Sequence, residues 1–206
     1  MAGRPRSVED AVILRAAVEV VGRVGPSGLT LAAVAREVGL VAATLVQRFG
    51  SKRGLLLALA ERAATDTGPF YEGVRERHGS PLEALRAVVV ESMAPMDSPK
   101  SFANHLAFLC LDLTDPELHL CALAVHNAHQ DGLRGLLDDA VATGELRADT
   151  DTVRLARSVR AMTAGAGLVW ALDREGSLAQ RLQDELDVLL ARHTHPARDE
   201  HPKEHS

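Results

Sequence analysis

Hydrophobic positions recur every three or four residues along almost the whole chain, and no stretch alternates with the period of two that a half-buried strand requires. Ile13, Ala16, Ala17, Val20, Val21 and Val24 mark a first helix, opened by Ser7 with Asp10 three residues on and ended by Gly25-Pro26. Leu31, Val34, Ala35 and Val38 mark a short second helix behind Thr30, a residue suited to accept a hydrogen bond from an unpaired N–H of the first turn. Gly39 stops it, because a residue without Cβ takes the left-handed conformation of a helix end at no cost. A third helix follows from Ala42 to Phe49 with Leu45 and Phe49 inward, and Ser51 caps a fourth that extends to about Thr67. The fourth buries Leu55, Leu56, Leu59 and Ala63, joins two parts of the chain, and is broken by Gly68-Pro69.

After a further boundary at Gly79-Ser80-Pro81 the helix starts are legible as cap residues. Ser80-Pro81-Leu82-Glu83, Ser98-Pro99, Asp115-Pro116, Asp151 and Ser177-Leu178-Ala179-Gln180 each open a helix. The helix after Asp115 runs to about Thr143 and is apolar nearly all round from Leu118 to Val125, which predicts a central position. The last two helices, Asp151 to Asp173 and Ser177 to Arg192, each carry a long apolar stripe. The expected architecture is all-α: a helix-turn-helix head over residues 1–67, a helical body over 68–192 and a disordered tail over 193–206.

The turn Gly39-Leu40-Val41 has the length of a helix-turn-helix connection, which makes the helix from Ala42 to Phe49 a candidate DNA reader. With Leu45 and Phe49 inward, Thr44, Gln47 and Arg48 are expected to face out, and Ala42, Ala43 and Val46 are short enough to approach a base edge or a thymine methyl. Lys52 and Arg53 open the next helix where they could reach a phosphate. Arg4 and Arg6, either side of Pro5, read either as an arm laid in the minor groove or as a frayed terminus.

Ile13-Leu14-Arg15-Ala16-Ala17, Gly28-Leu29-Thr30, Val34-Ala35, Val38-Gly39-Leu40, Thr44-Leu45, Phe49-Gly50-Ser51-Lys52 and Leu55-Leu56 together resemble the N-terminal domain of the TetR family of transcriptional regulators. The resemblance covers residues 9–62, and its specificity lies in the combined spacing. It implies Thr30, Val41, Ala42, Ala43, Thr44, Val46, Gln47, Arg48 and Lys52 as DNA-contacting positions. The sequence departs from the family at Val41, where a polar cap is usual, at Ala42, where a basic residue is usual, and at Val46, where a Tyr is usual. Gln47, Arg48 and apolar contacts are expected to take over.

The same resemblance implies that the last two helices pair with their symmetry mates, making a homodimer that reads an inverted repeat of double-stranded DNA. Closing the monomer's own core is the other use of those stripes. It also implies a small-molecule pocket among the body helices, with Met93, Phe102, His105, Leu109, His126, Met162 and Trp170 as candidate lining, each of which taken singly reads more readily as core.

Charge at first opposes a nucleic-acid partner, since the formal net charge is −5. Its distribution restores one. Through Thr67 there are nine Lys/Arg against six Asp/Glu, and beyond it fourteen against twenty-two, so a head of +3 precedes a body of −8. At 46% hydrophobic but only 3% aromatic residues, the core is aliphatic. Apolar runs such as Leu55 to Ala60 fall short of a bilayer span and Met1 to Ser7 lacks a secretory apolar region, so a cytoplasmic location is expected.

Cys110 and Cys121 make no disulfide framework, and an apolar setting argues against a redox role. His119, Cys121, His126 and His129 lie near one another without the spacing of a zinc motif, and the tail histidines suit a solvated segment. Phosphate-cradling glycine loops, nucleophile elbows and H-E-x-x-H are not found, so neither an enzyme nor a cofactor is expected. The sequence thus reads as a ligand-responsive DNA-binding regulator, with repression as its expected sense; the competing reading is an all-α enzyme or metal-binding protein built on the body helices.

Overall fold

The computed structural model describes residues 8–194, which form nine helices and no strand. Helices α1 (Asp10–Gly28), α2 (Leu31–Glu37) and α3 (Ala42–Phe49) pack with the start of α4 (Lys52–Arg77) around one buried cluster. Ile13, Ala17, Leu29, Val34, Leu45 and Leu55 are its sealed centre. The cap chemistry is as the sequence predicts. Thr30 Oγ1 accepts the Ala33 N–H at 3.0 Å and Ser51 Oγ accepts the Gly54 N–H at 3.1 Å. At Gly39, φ is 69°, and the Leu40 N–H reaches back to the Ala35 carbonyl at 2.8 Å, closing α2 with a Schellman turn.

Three boundaries differ from expectation. Helix α1 begins at Asp10 behind Glu9, which makes no side-chain cap bond, while Ser7 lies outside the described residues. Gly25, at φ 73°, breaks α1 as expected, but one more helical turn follows through Pro26 to Gly28. Helix α4 does not stop at Gly68-Pro69; it continues to Arg77. Proline there leaves the Thr65 carbonyl without its helical partner, a loss that water can make good because Thr65 and Pro69 are exposed. Burial of Tyr71 and Val74 beyond the proline then keeps the helix continuous from the head into the body.

The second cluster joins the end of α4 to α5 (Pro81–Glu91), α6 (Pro99–Thr114), α7 (Pro116–Ala142), α8 (Thr152–Asp173) and α9 (Leu178–Leu190). Ser80, Ser98, Asp115, Asp151 and Ser177 each accept a backbone N–H of the turn they open. The expected central placement of Leu118 to Val125 is not found. Leu120 is 67% and Leu123 45% exposed, and it is the second half of α7, with Leu133, Leu136, Leu137 and Ala140, that is buried. Helix α7 as a whole packs against α4, α5, α6 and α8, and Leu120 and Leu123 mark the side of its first half that these leave exposed.

Head and body meet along α1 and α6. Asn104 Nδ2 donates to the Gly22 carbonyl at 2.8 Å, and Phe108 packs against the head cluster. Residue 193, expected to start a free tail, is instead held by the Arg147 N–H donating to its carbonyl at 2.8 Å; positions 195–206 lie outside the described residues.

Candidate functional site

Helix α3 is anchored by Leu45, fully buried, and by Phe49, half-buried. The anchoring leaves Val41, Ala43, Val46 and Gln47 exposed, with Val41 at 68% and Val46 at 50%, a small-sided surface of the kind a close approach to base edges needs. Ala42 and Thr44 are half-buried, so Thr44 does not face fully out as its spacing suggested. Thr30 is exposed, and because its oxygen accepts the Ala33 N–H, its O–H proton is left for a phosphate.

Two of the expected cations are engaged inside the head. Arg48 does not project freely: its Nη1 pairs with Asp10 Oδ1 at 2.9 Å and donates to the Val8 carbonyl, drawing the side chain back to the start of α1. Lys52 Nζ donates to the Ser27 carbonyl at 2.9 Å, beside the turn between α1 and α2. Arg53, expected near phosphate, is turned the other way. Its guanidinium pairs with Asp115 at 3.1 Å and Glu117 at 2.7 Å, joining α4 of the head to the corner between α6 and α7. The Leu118 N–H, and then Arg53, hold the Asp115 carboxyl below its ordinary range. The spacing of 62 residues between these partners left no local signal.

Arg36, in the last turn of α2, was missed as a candidate; it is exposed and makes no ion pair among the described residues, whereas its neighbour Glu37 is taken by Arg23 at 2.7 Å. Arg4 and Arg6 lie outside the described residues.

Of the seven candidate ligand residues, Met93, Phe102, Met162 and Trp170 share the body's core cluster, whereas His105, Leu109 and His126 lie outside it. Phe102 and Met93 meet at Gly167, where a Cβ would lie 2.5 Å from the Phe102 ring and 3.1 Å from the Met93 methyl, so that region is filled. Trp170 is buried and donates from Nε1 to the Gly176 carbonyl at 3.2 Å. Met162 is half-buried along α8 and α9. His105 belongs to the seam between α1 and α6: its Nδ1 donates to the Ser101 carbonyl at 2.8 Å, its ring faces Gly22, and its Nε2 is buried without a partner. Leu109 is 44% exposed, and His126 is exposed on an α7–α8 groove. Cys110, expected in apolar surroundings, is exposed. Burial acts instead on the Cys121 thiol, raising its pKa.

Sequence reasoning passed over the polar group that the body does assemble. Tyr71 Oη lies 3.1 Å from His129 Nδ1, and Arg160 is near enough for its charge to act on both. Burial raises the Tyr71 phenol and draws His129 down to about 4, so both are neutral at pH 7. A signal existed: Arg160 sits on the α8 stripe of Ala156, Val159 and Thr163, which is otherwise buried.

Residues 13–59 match the family model described as bacterial regulatory proteins, tetR family. Over 196 residues the chain is 26% identical to an uncharacterized HTH-type transcriptional regulator, YezE, of Bacillus subtilis, covering 92% of this chain and 98% of that one. Its fold matches FadR of Bacillus subtilis, solved in complex with stearoyl-CoA, at a TM-score of 0.65 and 19% identity over 89% of this chain and 98% of that one. It matches SmeT, the repressor of a Stenotrophomonas maltophilia multidrug efflux pump, at a TM-score of 0.65 and 21% identity over 93% of each. The head over residues 13–59 thus matches the TetR family of bacterial regulatory proteins, and the fold of the whole chain is similar to that of transcriptional regulators of this family.

Proposed function

We propose that the protein is a homodimeric, ligand-released repressor whose paired α3 helices enter successive major grooves of an inverted-repeat operator. The observation that carries this reading is the exposed face of α3, Val41, Ala43, Val46 and Gln47, with Thr30, Arg36 and Lys52 around it to meet the backbone. Arg4 and Arg6 add contacts from the minor groove.

Pairing is supported by apolar surface on the last two helices. Leu168, Val169 and Leu172 of α8 and Val188 of α9 are exposed, the last two at 76% and 71%, which a soluble monomer covers by association. A two-fold pair also doubles the contacts of one eight-residue reading helix. Release is supported by the bond between Arg53 and Asp115–Glu117, which makes any shift of the α6–α7 corner a shift of α4 and of the head. A ligand that favours the shifted body lowers operator affinity through a coupling of about 1–3 kcal/mol. That FadR is solved with stearoyl-CoA and that SmeT is a repressor support effector binding and repression in a protein of this fold.

Light scattering on the free protein and on its complex with its own upstream DNA tests the reading: two subunits free and an even number per duplex are expected. A single subunit in both states overturns it.

A further inference from the structure

We propose that α3 reads A·T pairs: Val41 and Val46 each cover the methyl group of a thymine in the major groove, and Gln47 takes an adenine beside them. This deepens the operator-binding reading by naming the bases of each half-site, and it rests on that reading for its partner.

Spacing builds the face. Ala43, Val46 and Gln47 stand at i, i+3 and i+4, so they share one side of α3, turned away from the buried Leu45. Val41 closes the turn that Gly39 opens at φ 69° and stands just before the helix. At 68% and 50% exposure, Val41 and Val46 are the most exposed large apolar side chains of the head among the described residues. Gln47 is exposed too, and its amide bonds to no side chain or backbone group among the described residues. Arg48 is the one cation of α3, and its Nη1 is held by Asp10 at 2.9 Å and by the Val8 carbonyl, so the bases beneath the two valines meet no charged donor.

The surroundings fit a duplex rather than a second protein. On α2 and α4, the helices that pack against α3, Thr30 and Arg36 bound the first and Lys52 opens the second, each with a group that a phosphate accepts from. Val41 offers no side-chain oxygen to the first turn of α3, which leaves the Ala42 and Ala43 N–H groups for a phosphate as well. All of these residues lie within the stretch 13–59 that matches the family model.

Only one base carries an apolar group into the major groove. Thymine presents a C5 methyl beside its O4 acceptor, whereas guanine presents two acceptors, adenine an acceptor and a donor, and cytosine a donor. A valine laid on the methyl takes apolar surface of both partners out of water. Over guanine or cytosine the same valine strips water from a polar edge and returns no bond, so the wrong base is penalised as well as unrewarded. Gln47 complements this, because its amide holds a donor and an acceptor side by side and matches N7 and N6–H of adenine. Val41 and Val46 are separated by about 7.5 Å along the helix axis, roughly two base steps, so they meet different base pairs.

The test uses duplexes enriched by the full-length protein from a random pool and resynthesised with deoxyuridine in place of each thymidine in turn, which removes the methyl alone. A loss of about fourfold per methyl is expected at two thymines of each half-site. Val46→Ser alters a surface position and is expected to keep the parent's circular dichroism; it should bind the thymidine and deoxyuridine duplexes equally at one of those positions and keep the loss at the other. Gln47→Ala should lower the preference for one adenine about tenfold. An enriched repeat that tolerates full replacement of thymidine by deoxyuridine, half-sites whose invariant positions are all G·C, or methyl and adenine preferences that survive intact in the two variants overturns the proposal and leaves the dimeric repressor standing. A single unrepeated half-site that still loses affinity with each methyl refutes the inverted repeat and leaves this assignment standing, and no enrichment at all refutes both.

Discussion

Arg48 on the reading helix is bound to Asp10 at the start of α1 at 2.9 Å, so the cation best placed by sequence to contact DNA is also a tie within the head. Replacing it therefore has two effects. Arg48→Ala is expected to lower operator affinity and relax base preference, and also to cost about 0.5–1 kcal/mol of stability, since both partners are partly exposed. Asp10→Asn breaks the same tie but keeps the cation, so it should reproduce the stability loss and retain DNA binding. Gel shifts and urea unfolding on the two variants check this; equal loss of DNA binding in both would make Arg48 a purely structural residue.

Lys52 holds the Ser27 carbonyl and lies beside the reading face without being on it. Lys52→Ala is expected to weaken specific and random duplexes alike and to flatten the slope of log affinity against log salt by about 0.9. Binding titrations between low and moderate salt measure that slope. A change confined to the operator would place Lys52 on a base.

Arg53 contacts Asp115 and Glu117 in the body and is turned from the DNA face. Arg53→Met should leave affinity for DNA in the absence of effector within about twofold while reducing the effector's influence on it. Affinities measured with and without effector give the coupling directly. Unchanged coupling would assign the signal to the α1–α6 seam, where Asn104 meets Gly22.

Stability against pH carries two opposing slopes. His129 is drawn down to about 4 by burial, then by Arg160 and His126, so between its ordinary value near 6.5 and about 4 the unfolded chain binds a proton that the folded one does not. Falling pH removes stability across that window. Asp112 is pushed up to about 6 by burial, and its Oδ1 is buried without a partner. Between about 6 and its ordinary value of 3.8 the folded chain holds the extra proton, and falling pH adds stability. Asp112→Leu should therefore gain about 1 kcal/mol at pH 8 and then lose stability more steeply than the parent from pH 6 to 4.5. Urea unfolding at several pH values checks both; a variant no more stable at pH 8 contradicts the burial argument.

Local signals made the head readable. Thr30, Gly39, Gly50 and Ser51 fix helix ends through bonds within a few residues, and α3 spans Ala42–Phe49 as its spacing requires. Where the reading failed, distant partners decided the outcome. Pro69 stays inside α4 because Tyr71 and Val74 are buried beyond it, and Leu120 is exposed because, among the described residues, no helix covers that side of α7. Arg53 and Arg48 were placed by charge and register alone, and carboxylates at Asp115 and Asp10 redirected them. The lining of the body was least legible, since Phe102 in a filled core and Tyr71 bonded to His129 both read from the sequence simply as helical core positions.

Selecting bound fragments from a pool of random duplexes tests the pairing of two reading helices most directly. The account predicts an enriched inverted repeat whose half-sites lie about 34–36 Å apart, centre to centre, or a multiple of that distance. Enrichment of a single unrepeated half-site, or no enrichment over bulk DNA, would contradict it.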